Sequence, residues 1–237
     1  MAAVQSILSF LLLLISVFIT STLSRPVLSL HSRDRTVGIF PPTCNRIECP
    51  KFDLIHAGNG FEIRKYNLTM WSSTSPIEDI SLVGATRKGF LQLFDYIEGK
   101  NDDQEKIEMT APVITQVTPS DGPFCTSSFV VSFYVPAKNQ PNPPPAKNLH
   151  VQKWSSKYAA VRQFNGFVAD SDVGKEAASL YDSLRDSDWS AAVDKATSGD
   201  ATGVYTVAQY NSPFEFNNRV NEIWMMFDEE DLHSWEQ

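Results

Sequence analysis

The sequence predicts an α+β fold: a distorted eight-stranded barrel with a helix on each half, built as a pseudo-twofold internal repeat. Three observations predict it. The stretches FEIRKYNLTMWSST from Phe61 and LHVQKWSSKYAAVRQF from Leu149 each give an alternating run ending in an aromatic, a polar break and a second run. Each is followed by apolar residues at helical spacing and then by two further strand-like runs. A shift of 88 places Phe61 on Leu149, Ile63 on Val151 and Tyr66 on Trp154, and a shift of 90 places Gly84 on Gly174, Phe90 on Leu180 and Phe94 on Leu184. Each half has one sheet face and one helix stripe to bury. With about 85 residues per half (52–136 and 147–228) and no long flexible linker, a shared core within a domain spanning 49–228 is favoured over two separate domains.

The elements follow in order. Residues 1–24 carry no charged side chain, and the 13-residue apolar run Ile7–Ile19 is short for a membrane span of about 20 residues but suits a secretory signal core of about 7–15. Residues 1–24 are therefore read as a signal peptide cleaved near Ser24, with an uncleaved anchor as the alternative. This predicts a secreted protein, extracellular or in the endomembrane lumen, with no membrane span after cleavage. A proline-bearing leader, 25–48, precedes the domain. A secretory route permits disulfides, so one bridge is expected among Cys44, Cys49 and Cys125, its pairing left open. It also gives meaning to the N-glycosylation sequon Asn67-Leu68-Thr69.

Phe61 and Ile63 alternate with charged residues as a half-buried strand does, and Thr69–Thr74 forms its partner. Ser81–Gly99 reads as a helix, with Phe90, Leu93, Phe94 and Ile97 at i, i+3, i+4 and i+7, Asp79 or Ser81 as cap and Gly99 as terminator. Lys106–Val117 and Phe129–Val135 read as strands, Ala111-Pro112 marking an edge or bulge. Residues 140–146, QPNPPPA, form a stiff connector between the halves. The second half gives strands at Leu149–Trp154 and Tyr158–Phe164, then a helix capped by Asp170, Ser171 or Asp172 that runs to about Asp186. A short helix near Trp189–Ala196 and strands at Val204–Tyr210 and Glu222–Phe227 follow. Residues 229–237 read as a solvated acidic tail.

A net charge of −8 without a basic patch argues against nucleic-acid binding. There is no phosphate-cradling glycine loop, no paired metal-ligand spacing and no GxSxG elbow, so no enzyme is predicted. Glu108 and Glu222 lie on strands, where pairing with Arg64 or Arg219 is expected.

The segments FEIRKY (Phe61–Tyr66), KIEMTAPV (Lys106–Val113) and AQYNSPFEFNNRVNEIWM (Ala208–Met225) are similar, in order and spacing, to the SOUL, or haem-binding protein, family, specifically its secreted plant branch. The resemblance covers about residues 47–228. It implies a distorted eight-stranded antiparallel barrel with two flanking helices, binding haem or protoporphyrin in a shallow apolar groove between the first helix (Ser81–Glu98) and the loop Asn211–Asn221. Carried over, the contacts are Arg87, Phe90, Leu91, Phe94, Phe214, Phe216 and Arg219. The aromatics would stack on a flat ligand and the arginines would meet its propionates. Asp95 and Glu215 stand near positions where animal relatives carry lysine, and acids there would repel propionates. None of His31, His56, His150 and His233 falls in the groove, so binding is expected to be non-coordinate or weakly coordinated. The implied function is a monomeric carrier or buffer of a tetrapyrrole. The alternative is a secreted interaction module of the same fold that has lost the ligand.

Overall fold

The computed structural model describes residues 39–120, 126–198 and 203–232. The signal peptide, most of the leader, Cys125, His31, His233 and residues 233–237 lie outside the described residues. Strands are β1 (Asp53–Gly58), β2 (Phe61–Tyr66), β3 (Thr69–Thr74), β4 (Ile77–Asp79), β5 (Val113–Thr118), β6 (Ser127–Tyr134), β7 (Leu149–Trp154), β8 (Lys157–Asn165), β9 (Tyr205–Gln209) and β10 (Val220–Phe227). Helices are α1 (Leu82–Ile97), α2 (Asp170–Leu184), α3 (Ser190–Thr197) and α4 (Glu229–Leu232). The strands form one curled antiparallel sheet in the order β1-β2-β8-β10-β9-β5-β6-β3-β7, with β4 on β6.

Two features differ from the expected eight-stranded barrel. Nine strands lie on the pairing path and a tenth beside it, and the path ends at β1 and β7 without a pairing between them among the described residues. The sheet is therefore an open half-barrel. The unforeseen strands are β1, exposed along most of its length, and the three-residue β4. Neither writes the apolar alternation that a buried strand must show. The strand expected from Lys106 begins only at Val113, after Pro112, which has no N–H for a ladder. Ahead of it, Ala111 N donates to Glu48 O at 3.0 Å.

Alternation sorts the sheet into two buried faces. On one, Phe61, Ile63, Val207 and Ile223 pack against Leu82 and Ala85 of α1, Ala177 and Leu180 of α2, and Val193 of α3. On the other, Tyr66, Trp71, Tyr210 and Trp224 form a core closed by Cys44, Ile47, Cys49 and Phe52. A Cys44–Cys49 disulfide staples that covering segment.

Ser81 caps α1, its Oγ accepting from Gly84 N at 2.9 Å. The expected caps of α2 behave otherwise: its N-cap is Ala169, with no side-chain bond. Asp170 instead serves α1, accepting from Ser81 Oγ at 2.7 Å and from Val83 N at 3.0 Å, and so ties the two helix starts together. Gly89 lets α1 lie close on the sheet, since a Cβ there would stand 2.4 Å from Val131 Cγ2. Residues 229–232 are not a free tail: Asp231 pairs with Lys195 at 2.8 Å and Leu232 packs on the helix-side core.

Candidate functional site

Helical spacing puts Arg87, Phe90, Leu91 and Phe94 on one flank of α1. The Phe90 and Phe94 rings stack at 5.8 Å between centroids, and Phe90 meets Phe133 edge-on at 5.4 Å. Phe94 remains 40% exposed and Leu91 54%. Arg87 is exposed, with no ion-pair partner among the described residues.

The loop between β9 and β10 carries Phe214 and Phe216, 85% and 72% exposed. It is held by its own polar groups. Arg219, 5% exposed, donates from Nη1 to the carbonyls of Ser212 and Glu215, both at 2.7 Å, and its guanidinium lies 4.3 Å from the Phe167 ring centre. Burial holds that guanidinium below its usual value, the nearby Glu215 charge opposing. The Glu215 carboxylate pairs with Arg46 and accepts from Asn211 Nδ2 and Ser212 N, each at 3.1 Å. The Arg46 hydrogen bond is the main reason this carboxyl sits below the usual range, burial acting the other way. With inward positions taken by this network, the two phenylalanines face solvent, Phe216 resting 5.9 Å from Phe167.

Sheet register relates the two groups. Phe133 pairs with Val113 and Val113 with Gln209, a single row across β6, β5 and β9. Paired residues share a face, so Val113 and Gln209 point to the same side as Phe133 and Phe90. Two strand spacings make the row about 10 Å wide. The α1 flank stands at one end and the loop begins just past the other.

The structure thus brings Phe90 together with Phe94, and Phe216 together with Arg219 through Phe167. It does not leave Arg219 free for an anion. Asp95 stands one turn beyond Leu91 and about 140° round α1 from Phe90, paired with Lys100 at 2.9 Å, and the Glu215 charge is met by Arg46. The expected repulsion of an anionic ligand is therefore weakened at both positions. Arg46 and Phe167 were missed: one lies in the leader and the other in the β8–α2 turn, far from the loop in sequence. His56 is on β1 and His150 on β7, the two sheet edges. Asn67 is exposed in the β2–β3 turn, its Nδ2 donating to Asp53 Oδ2 at 3.0 Å.

Beyond α1, on its Asp95 flank, is a cavity of about 510 Å³ bounded by Pro76, Gln92, Tyr96 and Leu149. A second, of about 200 Å³, adjoins it at Tyr96, Ala146 and Leu149.

Inside the half-barrel lies a buried ionic cluster. Arg64 donates to Glu222 through Nη1 and Nη2, both at 3.0 Å, and through Nε to Glu62 at 2.7 Å. Glu222 also accepts from Gln163 Nε2 at 2.9 Å, Tyr210 OH at 2.9 Å and Trp224 Nε1 at 2.7 Å. Burial alone would push its carboxyl up; the Arg64 charge and the donated hydrogen bonds more than offset this and hold it below the usual range. Burial also raises the Tyr210 phenol, aided by the Glu222 charge. With every Glu222 lone pair engaged, this cluster orders the core.

These features describe a half-barrel presenting exposed aromatics at the edge of its helix-bearing face. The family model for the SOUL heme-binding protein matches residues 47–226. Heme-binding protein 2 of Homo sapiens is 35% identical over 168 residues, covering 70% of this chain and 77% of that protein. Heme-binding protein 1 of Sus scrofa is 27% identical over 159 residues, covering 65% and 77%. Among solved structures, the EcmrR C-terminal domain is 12% identical with a TM-score of 0.43, covering 71% of this chain and 96% of that one. The chain belongs to the SOUL heme-binding protein family.

Proposed function

We propose that this chain binds haem or a related tetrapyrrole and acts as a carrier or buffer. The ligand would lie over the Phe133–Val113–Gln209 row, between the α1 flank and the 211–219 loop. One observation carries the reading. A stacked aromatic pair, Phe90 and Phe94, stands at one end of a row about 10 Å wide, and the loop carrying the exposed Phe214 and Phe216 begins just after Gln209 at its other end. A flat apolar ring gains from such walls through burial and stacking. The residues fit the group's charge in part: Arg87 is free to meet one propionate, whereas Arg219 is committed to the loop. No histidine among the described residues is placed on this row, which supports non-coordinate or weakly coordinated binding, with metal-free protoporphyrin bound about as well as hemin. Relatives named for heme binding support the ligand class.

The same reading takes in the internal repeat. Exchanging β2 with β7, β3 with β8, β5 with β9 and β6 with β10 reverses the order of these eight strands end for end and keeps every neighbour, as a twofold relation requires. It also takes in secretion, supported by the Cys44–Cys49 bridge, which needs an oxidising compartment. A glycosidase-sensitive mass increase lost in Asn67→Gln tests that route.

A second reading, an interaction module without a tetrapyrrole, is favoured by the commitment of Arg219, which leaves one arginine for two propionates. Hemin and protoporphyrin titrations followed by tryptophan fluorescence separate the two. Saturable quenching weakened about tenfold by Phe214→Ala with Phe216→Ala supports the carrier. Linear quenching, equal in wild type and variant, supports the module.

A further inference from the structure

Large apolar side chains gather in water at one end of the sheet. Asn165, at the end of β8, pairs with Val220 at the start of β10, and Asn221 pairs with Gln209 at the end of β9. The β8–α2 turn and the β9–β10 loop therefore leave the sheet at the same end. Phe167 of the turn is 54% exposed and rests 5.9 Å from Phe216, and Phe214 is more exposed still. Ile39 and Phe40, also exposed, are tied near this end, since the Ile39 backbone exchanges two hydrogen bonds with the Gln163 side chain. Single exposed apolar residues are ordinary, but a cluster of large ones marks a surface that something covers.

Two features say what the cover is. The first is how the loop satisfies its own backbone. From Ser212 to Glu215 every backbone N–H is bonded inside the loop: Ser212 N donates to Glu215 Oε2 at 3.1 Å, Phe214 N to Ser212 Oγ at 3.3 Å and Glu215 N to Ser212 O at 3.0 Å, while Pro213 has none to donate. The Ser212 and Glu215 carbonyls are taken by Arg219. Such a loop can leave water for an apolar medium without stranding those groups. A protein interface instead carries about one hydrogen bond per 100–200 Å², and here the donors are already spent. The second feature is charge. The turn and loop hold Glu215 and Arg219 as their charged residues, and Arg46 on Glu215 brings this tip to one net positive charge, on a chain whose net charge is −8. The tip thus escapes the repulsion that the rest of the chain meets at lipid phosphates.

We propose that the 211–219 loop and Phe167 form a foot that docks on a phospholipid bilayer. Phe167, Phe214 and Phe216 seat at the boundary between headgroups and acyl chains, and Arg46 lies among the phosphates. The docking is peripheral and reversible, because three rings bury far less apolar surface than a spanning helix. The Arg219 clamp keeps the rings outward, ready to insert. Docking needs no tetrapyrrole. On the reading proposed above, it brings the loop end of the Phe133–Val113–Gln209 row against the bilayer, so that an apolar ring passes between the two without crossing water.

The test floats residues 25–237, which hold all three buried clusters and lack the apolar run Ile7–Ile19, with phosphatidylcholine vesicles in the absence of haem. Circular dichroism verifies each variant's fold. Wild type co-floats, and Phe167→Ser with Phe214→Ser, changes at exposed positions, weakens the partition about tenfold or more. In Phe214→Trp, vesicles with brominated acyl chains quench tryptophan fluorescence more than in wild type. Phe94→Ala, at the α1 end of the row, weakens hemin binding measured without vesicles and leaves flotation unchanged, so a failed tetrapyrrole reading and a failed docking show in different variants. Absence of wild-type flotation, or flotation equal in the double serine variant, overturns the proposal. So does binding that requires anionic lipid and ignores the phenylalanines, or equal quenching in Phe214→Trp and wild type. Concentration-dependent dimers that the serine variant abolishes, without vesicle binding, assign the patch to a second copy of the chain and overturn it as well.

Discussion

Replacing Glu222 by glutamine keeps the shape of the side chain and removes its charge. Five donors converge on the two carboxylate oxygens: Arg64 Nη1 and Nη2, Gln163 Nε2, Tyr210 OH and Trp224 Nε1. Glutamine offers one oxygen and one NH₂, so at least one donor in the ring then faces another donor. Arg64, 1% exposed, retains only Glu62 as a counter-charge. Removing one partner of a buried pair costs about 3–5 kcal/mol. For a domain of this size each kcal/mol lowers Tm by about 2–4 °C, so Glu222→Gln should lower it by about 6–20 °C at neutral pH. Tryptophan fluorescence reads this directly, since Trp224 is a member of the cluster. The sign of the pH dependence follows from the carboxyl, which is held below its ordinary value of 4.5 in the folded chain. Its contribution is complete above the unfolded value and is lost as pH falls through the lower folded value. The gap between wild type and variant should therefore be constant near neutrality and close in acid, starting below about pH 4.5. A neutral-pH shift below about 2 °C, or a gap that widens in acid, would refute the argument that this charge holds the half-barrel core.

Three further outcomes are expected. Gly89→Ala gains about 1 kcal/mol of helix propensity but drives a Cβ to 2.4 Å from Val131 Cγ2, an overpacking worth about 1–3 kcal/mol. Thermal melts should show net destabilisation, relieved by Val131→Ala in the same chain; a higher Tm in the single variant contradicts the close helix–sheet approach. Asp170→Ala removes the acceptor for Ser81 Oγ and Val83 N, so urea unfolding should register a loss of about 0.5–2 kcal/mol; a neutral result shows the inter-helix cap to be idle. Arg219→Met frees the Ser212 and Glu215 carbonyls, and hydrogen exchange should accelerate across residues 211–216 while β10 stays protected; unchanged exchange denies Arg219 its clamping role.

The strands of both halves and the two long helices were legible because each must bury one face, and burial writes a period into the chain. Phe61 and Ile63 alternate at period two, and Leu93 and Ile97 recur at helical spacing; both pairs are buried, but β2 is not the half-buried strand its charges suggest, because Glu62 and Arg64 are buried on its other face. β1 wrote no such pattern because, as an edge strand, it buries little. The flank holding Asp95 was also legible in principle, since a residue five positions after Phe90 falls on another side of a helix. The role of Arg219 was not. Its partners are backbone carbonyls within its own loop, which no residue pattern announces, and the loop's outer tether, Arg46 on Glu215, spans 169 positions. Arg64 and Glu222 were recognisable as a complementary pair of strand residues. Their convergence with Glu62, Gln163, Tyr210 and Trp224 depends on β2, β8 and β10 lying side by side, which only the sheet order supplies.

Backbone amide shifts recorded by NMR as protoporphyrin is added to the folded domain test the placement of the tetrapyrrole most directly. The account predicts that the moving resonances are those of Arg87–Phe94, Val113, Gln209 and Ser212–Phe216, saturating together. Perturbations gathered instead along Tyr96, Lys147 and Leu149, or none that saturate, would contradict it.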